Sequence, residues 1–431
     1  MSSSSRNGTA APSRNRLKKL LRIVGWLVLL GTVIAGPNLV FYYQWMRPDR
    51  PIPKVERDSI DQLTSPGAAA ALDFRATLQD SRETVGLPSM SAAIGFNGTV
   101  QWAGADGYAD IEQRIPATLR SRYRIGSVSK ALTGVLLVRM VDAGQVDMDA
   151  PLSNYVQQLP PHLAPLTARQ LASHRSGVRH YSMPSWWLGW WEMYSTQAFA
   201  SVEEGLSLFR NDPLRFVPGE DFKYSTFGYS VLSRLMEGAS GEDYPQLLNT
   251  QLFLPAGMRD SEIDHAGEMP SRVSFYSADS GLFTPAHPTD TSYKIAGGGL
   301  VSTPTDLVQL SMKLLGSDFL SAAGKQLLWT PMPLANGSPN PENYAIGWRI
   351  DTSERLLGAE RPTRIFHHGG VQSGGAAFLM VVPEHDIAVA VVTNSGTRAA
   401  RAAVQETAYE LVRRAVASRQ GVRHTQATRG T

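Results

Sequence analysis

The chain has 431 residues, 42% of them hydrophobic and 18% charged, with a formal net charge of +3, a composition typical of globular proteins. It contains no cysteine, which excludes disulfide bonds, a thiolate nucleophile and a cysteine-bound zinc site. Its nine histidines form no H-E-x-x-H or H-x-H pattern. Its basic residues are concentrated at the two ends of the chain and indicate no basic stripe across one face of a folded domain. We therefore expect no metal, no cofactor and no nucleic-acid partner.

The N-terminal region combines a basic segment with a long uncharged one. Residues 1–22 are polar and basic, and residues 23–45, "IVGWLVLLGTVIAGPNLVFYYQW", carry no charge over a length close to the ~20 residues that cross a bilayer. More basic residues precede this segment than closely follow it, which favours a cytoplasmic tail, a single-pass anchor in the inner membrane and a periplasmic location for the rest. A signal peptide cleaved after Ala35 is the alternative.

The remaining pattern predicts one domain. Residues 46–64 are a proline- and charge-rich linker, and the domain is expected over residues 65–417, followed by a disordered tail at 418–431. A helix is predicted over "AAAALDFRATLQDSRETV", a hairpin at Asn97 and Gly98, a second hairpin from "AAFLMVV" to "IAVAVVTN", and a helix over "TRAARAAVQETAYELVRRAVA". These elements predict an α/β (α+β) fold, an antiparallel sheet flanked by helices, with an inserted and mostly helical subdomain at roughly 150–290.

The stretch "YRIGSVSKALTG" contains the first candidate catalytic residues. It is strand-like up to Ser127, which then begins a helix of apolar periodicity, and Lys130 lies one turn further on the same face. A serine hydroxyl becomes a good nucleophile when a neighbouring group takes its proton, and a desolvated lysine amine can do so. Arginine could not serve in this way because it keeps its proton.

Two later motifs add polar groups and glycines. The stretch "PGEDFKYSTFGYS" places Tyr224 just before a helix capped by Ser225 or Thr226, and a tyrosine beside an amine can carry a proton. The stretch "RIFHHGGVQSGG" places His367, Gly369 and Gly370 at the start of a strand, where glycines let a substrate backbone lie against the strand edge.

The order of these motifs, S-x-x-K, then a tyrosine, then H-x-G, resembles the serine β-lactamase and penicillin-binding family over about residues 65–415. The stretches "SHRSGVRHY" and "SYKIAGGGLVST" resemble its mitochondrial serine β-lactamase-like branch. The resemblance implies that Ser127 is acylated, that Lys130, Tyr224 and His367 are catalytic, and that the Ser127 and Gly370 N–H groups form the oxyanion hole. It also places Thr226 and Gly369 in substrate binding.

Two positions depart from the family pattern. Thr226 stands where the family carries asparagine, and His367 stands where penicillin binders carry lysine. We therefore predict weak or absent β-lactam hydrolysis and expect peptide or amide bonds to be cleaved. An esterase that uses the same residues, and a penicillin-binding-type sensor of cell-wall peptides without turnover, are the alternatives.

Four tryptophans lie within six positions, Trp186, Trp187, Trp190 and Trp191. One interpretation is that they fill the core of the helical subdomain. The other is that they border the active-site mouth and meet lipid or an apolar acyl group, because four indole N–H groups need partners. On the second interpretation, Trp186 and Trp190 are assigned to substrate binding.

Overall fold

The computed structural model describes residues 14–45, 48–55, 61–64, 69–181 and 192–429, and it divides into two compact units, residues 1–48 and 49–431. The first unit contains helix α1, Arg14–Trp45. Large apolar side chains of α1 are exposed between Leu20 and Val33. Within the described ranges, no helix is both long enough and apolar enough to cross a membrane, so the predicted transmembrane anchor is not confirmed.

The second unit is built on an antiparallel sheet of eight strands. The described strands of this unit, in chain order, are β1 (Arg50–Pro51), β2 (Asp61–Thr64), β3 (Ser89–Phe96), β4 (Thr99–Asp110), β5 (Ile115–Pro116), β6 (Tyr123–Arg124), β7 (Glu262–Ile263), β8 (Tyr276–Asp279), β9 (Leu282–Pro285), β10 (Leu300–Ser302), β11 (Arg349–Ser353), β12 (Thr363–Gln372), β13 (Gly375–Val382) and β14 (Ile387–Thr393). The order in the large sheet is β11-β12-β13-β14-β3-β4-β2, with β5 paired to β4, and two small sheets, β1-β9-β8 and β6-β10-β7, complete the unit.

Helices cover the sheet, and seven of the described α-helices lie between β5 and β10. The described α-helices of this unit are α2 (Ala69–Val85), α3 (Val128–Asp142), α4 (Ala168–Ala172), α5 (Val202–Leu206), α6 (Thr226–Ser240), α7 (Tyr244–Leu247), α8 (Leu254–Ala256), α9 (Ile295–Gly298), α10 (Pro304–Leu315), α11 (Ala322–Trp329) and α12 (Arg398–Arg429). The expected antiparallel sheet flanked by helices is confirmed. Helix α12 continues past residue 417, where the sequence predicted a disordered tail to begin.

The predicted hairpin between β3 and β4 follows from its two turn residues. Asn97 and Gly98 have φ values of +54° and +75°, the left-handed conformation that a two-residue hairpin turn requires. Asparagine and glycine adopt it at little cost, so this local signal was sufficient.

Alternation along the central strands gives the sheet two apolar faces. On one face, Ile94 and Phe378 belong to a cluster with Tyr409 of α12. On the other, Ala93 and Leu379 belong to the main core, which includes buried residues of α3 and α10. Only those side chains of β12 that lie on the face covered by α3 can therefore reach the N-terminus of α3.

Candidate active site

Ser127 is the N-cap residue of α3, and its side chain makes no capping hydrogen bond. Its hydroxyl instead is hydrogen bonded to Tyr224 and accepts from the Lys130 amine, with 3.3 Å between Oγ and Nζ. Nearly every side chain of α3 is buried, so the helix is held rigidly inside the core. The start of α3 therefore presents Ser127 at a fixed position beside an amine.

Lys130 is fully buried. Besides Ser127, its Nζ donates to Thr226 Oγ1 at 3.1 Å and to the Gly297 carbonyl at 2.5 Å. All three acceptors are neutral, and in the described part of the chain no carboxylate lies within ion-pair distance of this amine. Burying a lysine among neutral groups favours its uncharged form.

The electrostatic surroundings act in the same direction. Burial, above all, lowers the pKa of Lys130 well below its usual value, and the positive charges of Arg349 and Lys294 lower it further. The amine is thereby suited to take a proton from Ser127, as the sequence predicted for this pair.

Tyr224 completes the group around Ser127. The Lys130 Nζ lies 4.8 Å from the centroid of its ring. Burial raises the pKa of Tyr224 to about 12, although its hydrogen bond with Ser127 and the nearby Arg349 act in the opposite direction. Tyr224 therefore keeps its proton at neutral pH and is able to donate it.

Two histidines hold the segment that carries Tyr224 and Thr226. The Ser225 N–H donates to His174 Nδ1 at 3.2 Å, and the Thr226 N–H donates to His180 Nδ1 at 3.1 Å. Burial lowers the pKa of both, that of His180 to about 3, so both rings stay neutral and keep Nδ1 as an acceptor. Sequence reasoning assigned neither, although both lie in "SHRSGVRHY".

The structure corrects the choice between the tandem histidines of β12. His367 bonds to Asp351 Oδ2 at 2.7 Å, and its ring lies 5.4 Å from that of Phe378, on the face covered by α12. His368 points to the opposite face, where its Nε2 is 3.0 Å from the Tyr344 hydroxyl and its ring is 6.3 Å from that of Tyr224. Because neighbouring strand residues face opposite sides, His368 lies in the site and His367 does not.

The glycines of β12 differ in the same way. A Cβ atom on Gly370 would be 1.9 Å from the Ile125 carbonyl oxygen and 2.9 Å from the Ser127 nitrogen, so only glycine fits against the nucleophile. A Cβ on Gly369 would be 3.6 Å from Phe378, on the other face. The oxyanion role of Gly370 stays a prediction, and its neighbour Val371 is a second candidate donor that the sequence did not suggest.

The approach of Val371 depends on the residue before the nucleophile. Gly126 has a φ of +49°, and a Cβ atom there would be 2.7 Å from the Val371 nitrogen. The turn into α3 thus brings the β12 backbone beside Ser127. Among the other predicted residues, Trp186 and Trp190 lie outside the described residues, and their role stays a prediction.

Three further residues reach the site from distant parts of the chain. Arg349 lies 5.4 Å from the ring centroids of both Tyr224 and Tyr344, and it is paired with Glu342. Lys294 is the second fully buried lysine. Sequence reasoning identified none of these three, Arg349, Tyr344 and Lys294, because no local motif marks them.

Comparisons with known proteins agree on one family. A family model described as Beta-lactamase matches residues 74–414. The mouse protein "Serine beta-lactamase-like protein LACTB, mitochondrial" is 28% identical over 429 residues, which cover 76% of this chain and 77% of the mouse protein. Penicillin-binding protein 4* of Bacillus subtilis (strain 168) is 28% identical over 298 residues, covering 64% of this chain and 63% of its own length.

Solved structures show the same fold. The D-amino acid amidase from Ochrobactrum anthropi SV3 superposes with a TM-score of 0.66 at 21% identity, covering 81% of this chain and 99% of the amidase. The penicillin-binding protein homologue from Pyrococcus abyssi superposes with a TM-score of 0.64 at 24% identity, covering 81% of this chain and 77% of its own.

Proposed function

This chain belongs to the β-lactamase family of serine hydrolases, and from that premise we propose that it cleaves amide or peptide bonds through a covalent acyl-enzyme on Ser127. The observation that carries this proposal is the contact of the Ser127 hydroxyl with both a fully buried lysine amine and a protonated tyrosine. That arrangement supplies a base and an acid around one half-buried serine nucleophile.

Acylation would proceed as follows. Ser127 Oγ attacks the substrate carbonyl carbon while its proton passes to the neutral Nζ of Lys130. The oxyanion is stabilised by main-chain N–H groups, that of Ser127 and one from Gly370 or Val371, next to the start of α3. When the carbonyl re-forms, the leaving amine takes the proton of Tyr224, which regains one from Lys130.

Deacylation reverses these roles. A water molecule loses a proton to the neutral amine of Lys130 as its oxygen attacks the acyl carbon, and Ser127 Oγ leaves with that proton. His368 contacts Tyr344 beside Tyr224, where it would help to hold the tyrosine in place. We transfer to His368 the role that the sequence suggested for His367.

The residues at the substrate-binding positions favour substrates other than β-lactams. The hydroxyl of Thr226 accepts from Lys130 at 3.1 Å, so it replaces part of what an asparagine amide would do, but it offers substrate no amide N–H donor. His368 is neutral because burial lowers its pKa well below the usual value, and it therefore lacks the charge that would attract a β-lactam carboxylate.

The test uses a chain that starts at residue 49 and a panel of chromogenic esters, D-amino-acid amides, peptides and nitrocefin. We expect a fluorophosphonate probe to label Ser127 and turnover of amides or peptides to exceed that of nitrocefin. Ser127→Ala should abolish labelling and lower kcat/KM by about 10³-fold or more. Labelling without turnover of any substrate would favour the sensor, and ester turnover alone would favour the esterase.

A second proposal concerns location. We propose that α1 anchors the protein to the inner membrane with the hydrolase unit on the periplasmic side, supported by the exposed apolar side chains between Leu20 and Val33. The full chain should sediment with membranes and be released by detergent, whereas a chain that starts at residue 49 should not sediment. A full chain that stays in the supernatant would contradict the anchor.

A further inference from the structure

Lys294 is a buried lysine that the proposed mechanism does not use. It is 1% exposed, and its Nζ donates to the Gln372 Oε1 at 3.2 Å and weakly to the Met193 carbonyl at 3.4 Å. The rings of Tyr181 and Tyr293 lie 5.3 and 5.0 Å from it. Among the described residues, no carboxylate is paired with this amine.

Gln372 adds an unsatisfied donor at the same place. The residue is 8% exposed, and its Nε2 is buried without a hydrogen-bond partner among the described residues. A buried amide N–H without an acceptor costs on the order of 1–3 kcal/mol. An ammonium and an amide N–H, adjacent and both lacking an anionic acceptor, are the groups that recognise a carboxylate.

Lys294 and Gln372 lie on the side of Ser127 that faces away from the leaving group. Gln372 lies two residues beyond Gly370 on the same face of β12, roughly 7 Å along the strand from the point that meets Ser127. The leaving group must lie near its proton donor Tyr224, which is beside His368 at the other side of Gly370. The acyl part of the substrate therefore extends from Ser127 towards Gln372.

We propose that Lys294 and Gln372 form an acyl-side subsite that binds a carboxylate carried by the acyl group of the substrate. The Lys294 ammonium and the Gln372 Nε2–H donate to the two carboxylate oxygens, and the preferred substrates are acidic acyl donors such as dicarboxylic monoamides or peptides with an acidic residue at the cleaved bond. This inference rests on the proposed function, because it assigns the acyl side from the roles of Ser127 and Tyr224.

The surrounding charges are compatible with an added anion. Arg124 and Lys130 lie near enough to affect the charge states of this site, and Arg124 is itself paired with Asp264 at 2.7 Å. The net effect of burial and Arg124, opposed by Asp264 and Asp290, brings the pKa of Lys294 to about 7. A bound carboxylate would stabilise the protonated amine directly.

The experiment compares two substrates of equal chain length on the full chain in detergent, glutaryl and valeryl 4-nitroanilide, or the matching 4-nitrophenyl esters if anilides are not cleaved. The measured quantity is the ratio of their kcat/KM values within each variant. The wild type should prefer the glutaryl substrate by about tenfold or more, the size expected for charge-assisted hydrogen bonds. Lys294→Met should bring the ratio near one.

Two further variants complete the design. Gln372→Glu places a carboxylate opposite Lys294 and should also abolish the preference, which decides the matter if Lys294→Met fails to fold. Lys313→Met removes an exposed lysine of α10 and should keep the wild-type ratio. A wild-type ratio near one, or a preference that survives Lys294→Met or Gln372→Glu, would overturn the inference.

The same assay separates this inference from the proposed function. Turnover of both substrates at similar rates, with Ser127 labelled by the fluorophosphonate, would reject the carboxylate subsite and leave the hydrolase intact. Absence of turnover and of labelling would reject the hydrolase and the subsite with it.

Discussion

At the scale of single residues, the site depends on a lysine that contacts neutral groups only. The acceptors around Lys130 are a serine hydroxyl, a threonine hydroxyl and a main-chain carbonyl. A guanidinium at this position would bring a larger group, with a permanent charge, into a space that holds one nitrogen. The chemistry and the packing thus both require a compact amine.

We predict that Lys130→Arg is nearly as damaging as Lys130→Ala. Both variants remove the group that takes the Ser127 proton, so both should lower kcat/KM by about 10³-fold on the best substrate of the panel. Lys313→Arg, at an exposed position, serves as the matched control. If Lys130→Arg kept activity within about tenfold of wild type, the lysine would be a counter-charge and the proposed proton transfer would be wrong.

At the scale of elements, strand β12 divides its residues between two environments. Residues on one face contact the α3 N-terminus and the tyrosines of the site, and residues on the other contact the cluster that includes α12. Adjacent positions of one strand therefore offer matched pairs of variants that differ in the face they occupy.

The tandem histidines form the first pair. His368→Asn should lower kcat/KM about tenfold or more, because it removes the imidazole that bonds to Tyr344 beside Tyr224. His367→Asn should lower it less than about threefold, since its ring contacts Asp351 and Phe378. Steady-state kinetics on both variants tests the assignment, and the reverse order of effects would restore His367 to the site.

The adjacent glycines form the second pair. Gly370→Ala should inactivate the enzyme and lower its melting temperature, because the added methyl group would overlap the main chain at Ile125. Gly369→Ala places its methyl group at ordinary contact distance from Phe378 and should cost less than about 1 kcal/mol of stability. Equal losses of melting temperature in the two variants would show that the strand does not face α3 as described.

At the scale of the whole molecule, the site holds two buried amines that lower the stability of the folded state. Lys130 and Lys294 are both fully buried, and burial lowers the pKa of each. In the unfolded chain both amines keep their usual pKa near 10.5. The difference makes the free energy of unfolding depend on pH.

The sign follows from the proton balance of Lys294. Between pH 7 and 10.5 the unfolded chain holds a proton on this residue that the folded protein has largely lost, so the free energy of unfolding rises with pH. For this residue we expect a rise of about 2 kcal/mol between about pH 7 and 9. We would measure the free energy of unfolding in urea, at pH values from about 7 to 9, for the unit that starts at residue 49. The rise with pH should be smaller in Lys294→Met than in the wild type by about that amount. If the free energy of unfolding rose by the same amount with pH in the wild type and in Lys294→Met, this expectation would be wrong.

The sequence by itself determined the features that depend on near neighbours. Ser127, the N-cap of α3, and Lys130 in its first turn are three positions apart, so their contact follows from helical geometry. Asn97 and Gly98 specify their turn through their own backbone preferences. The family motifs placed Tyr224 and Thr226 near this pair, and the structure brings them together. The apolar patterns of the terminal strands and helices were sufficient for the antiparallel sheet.

Only the tertiary structure decided which groups from distant segments complete the site. Alternation along β12 means that His367 and His368 face opposite sides, but the packing of α3 against one face decides which of them meets Tyr224. Lys294 and Gln372 are 78 residues apart, and neither carries a signal of its own. Their pairing arises because burial brings two polar groups together and removes the water that would otherwise satisfy them, an effect that no local pattern in the sequence records.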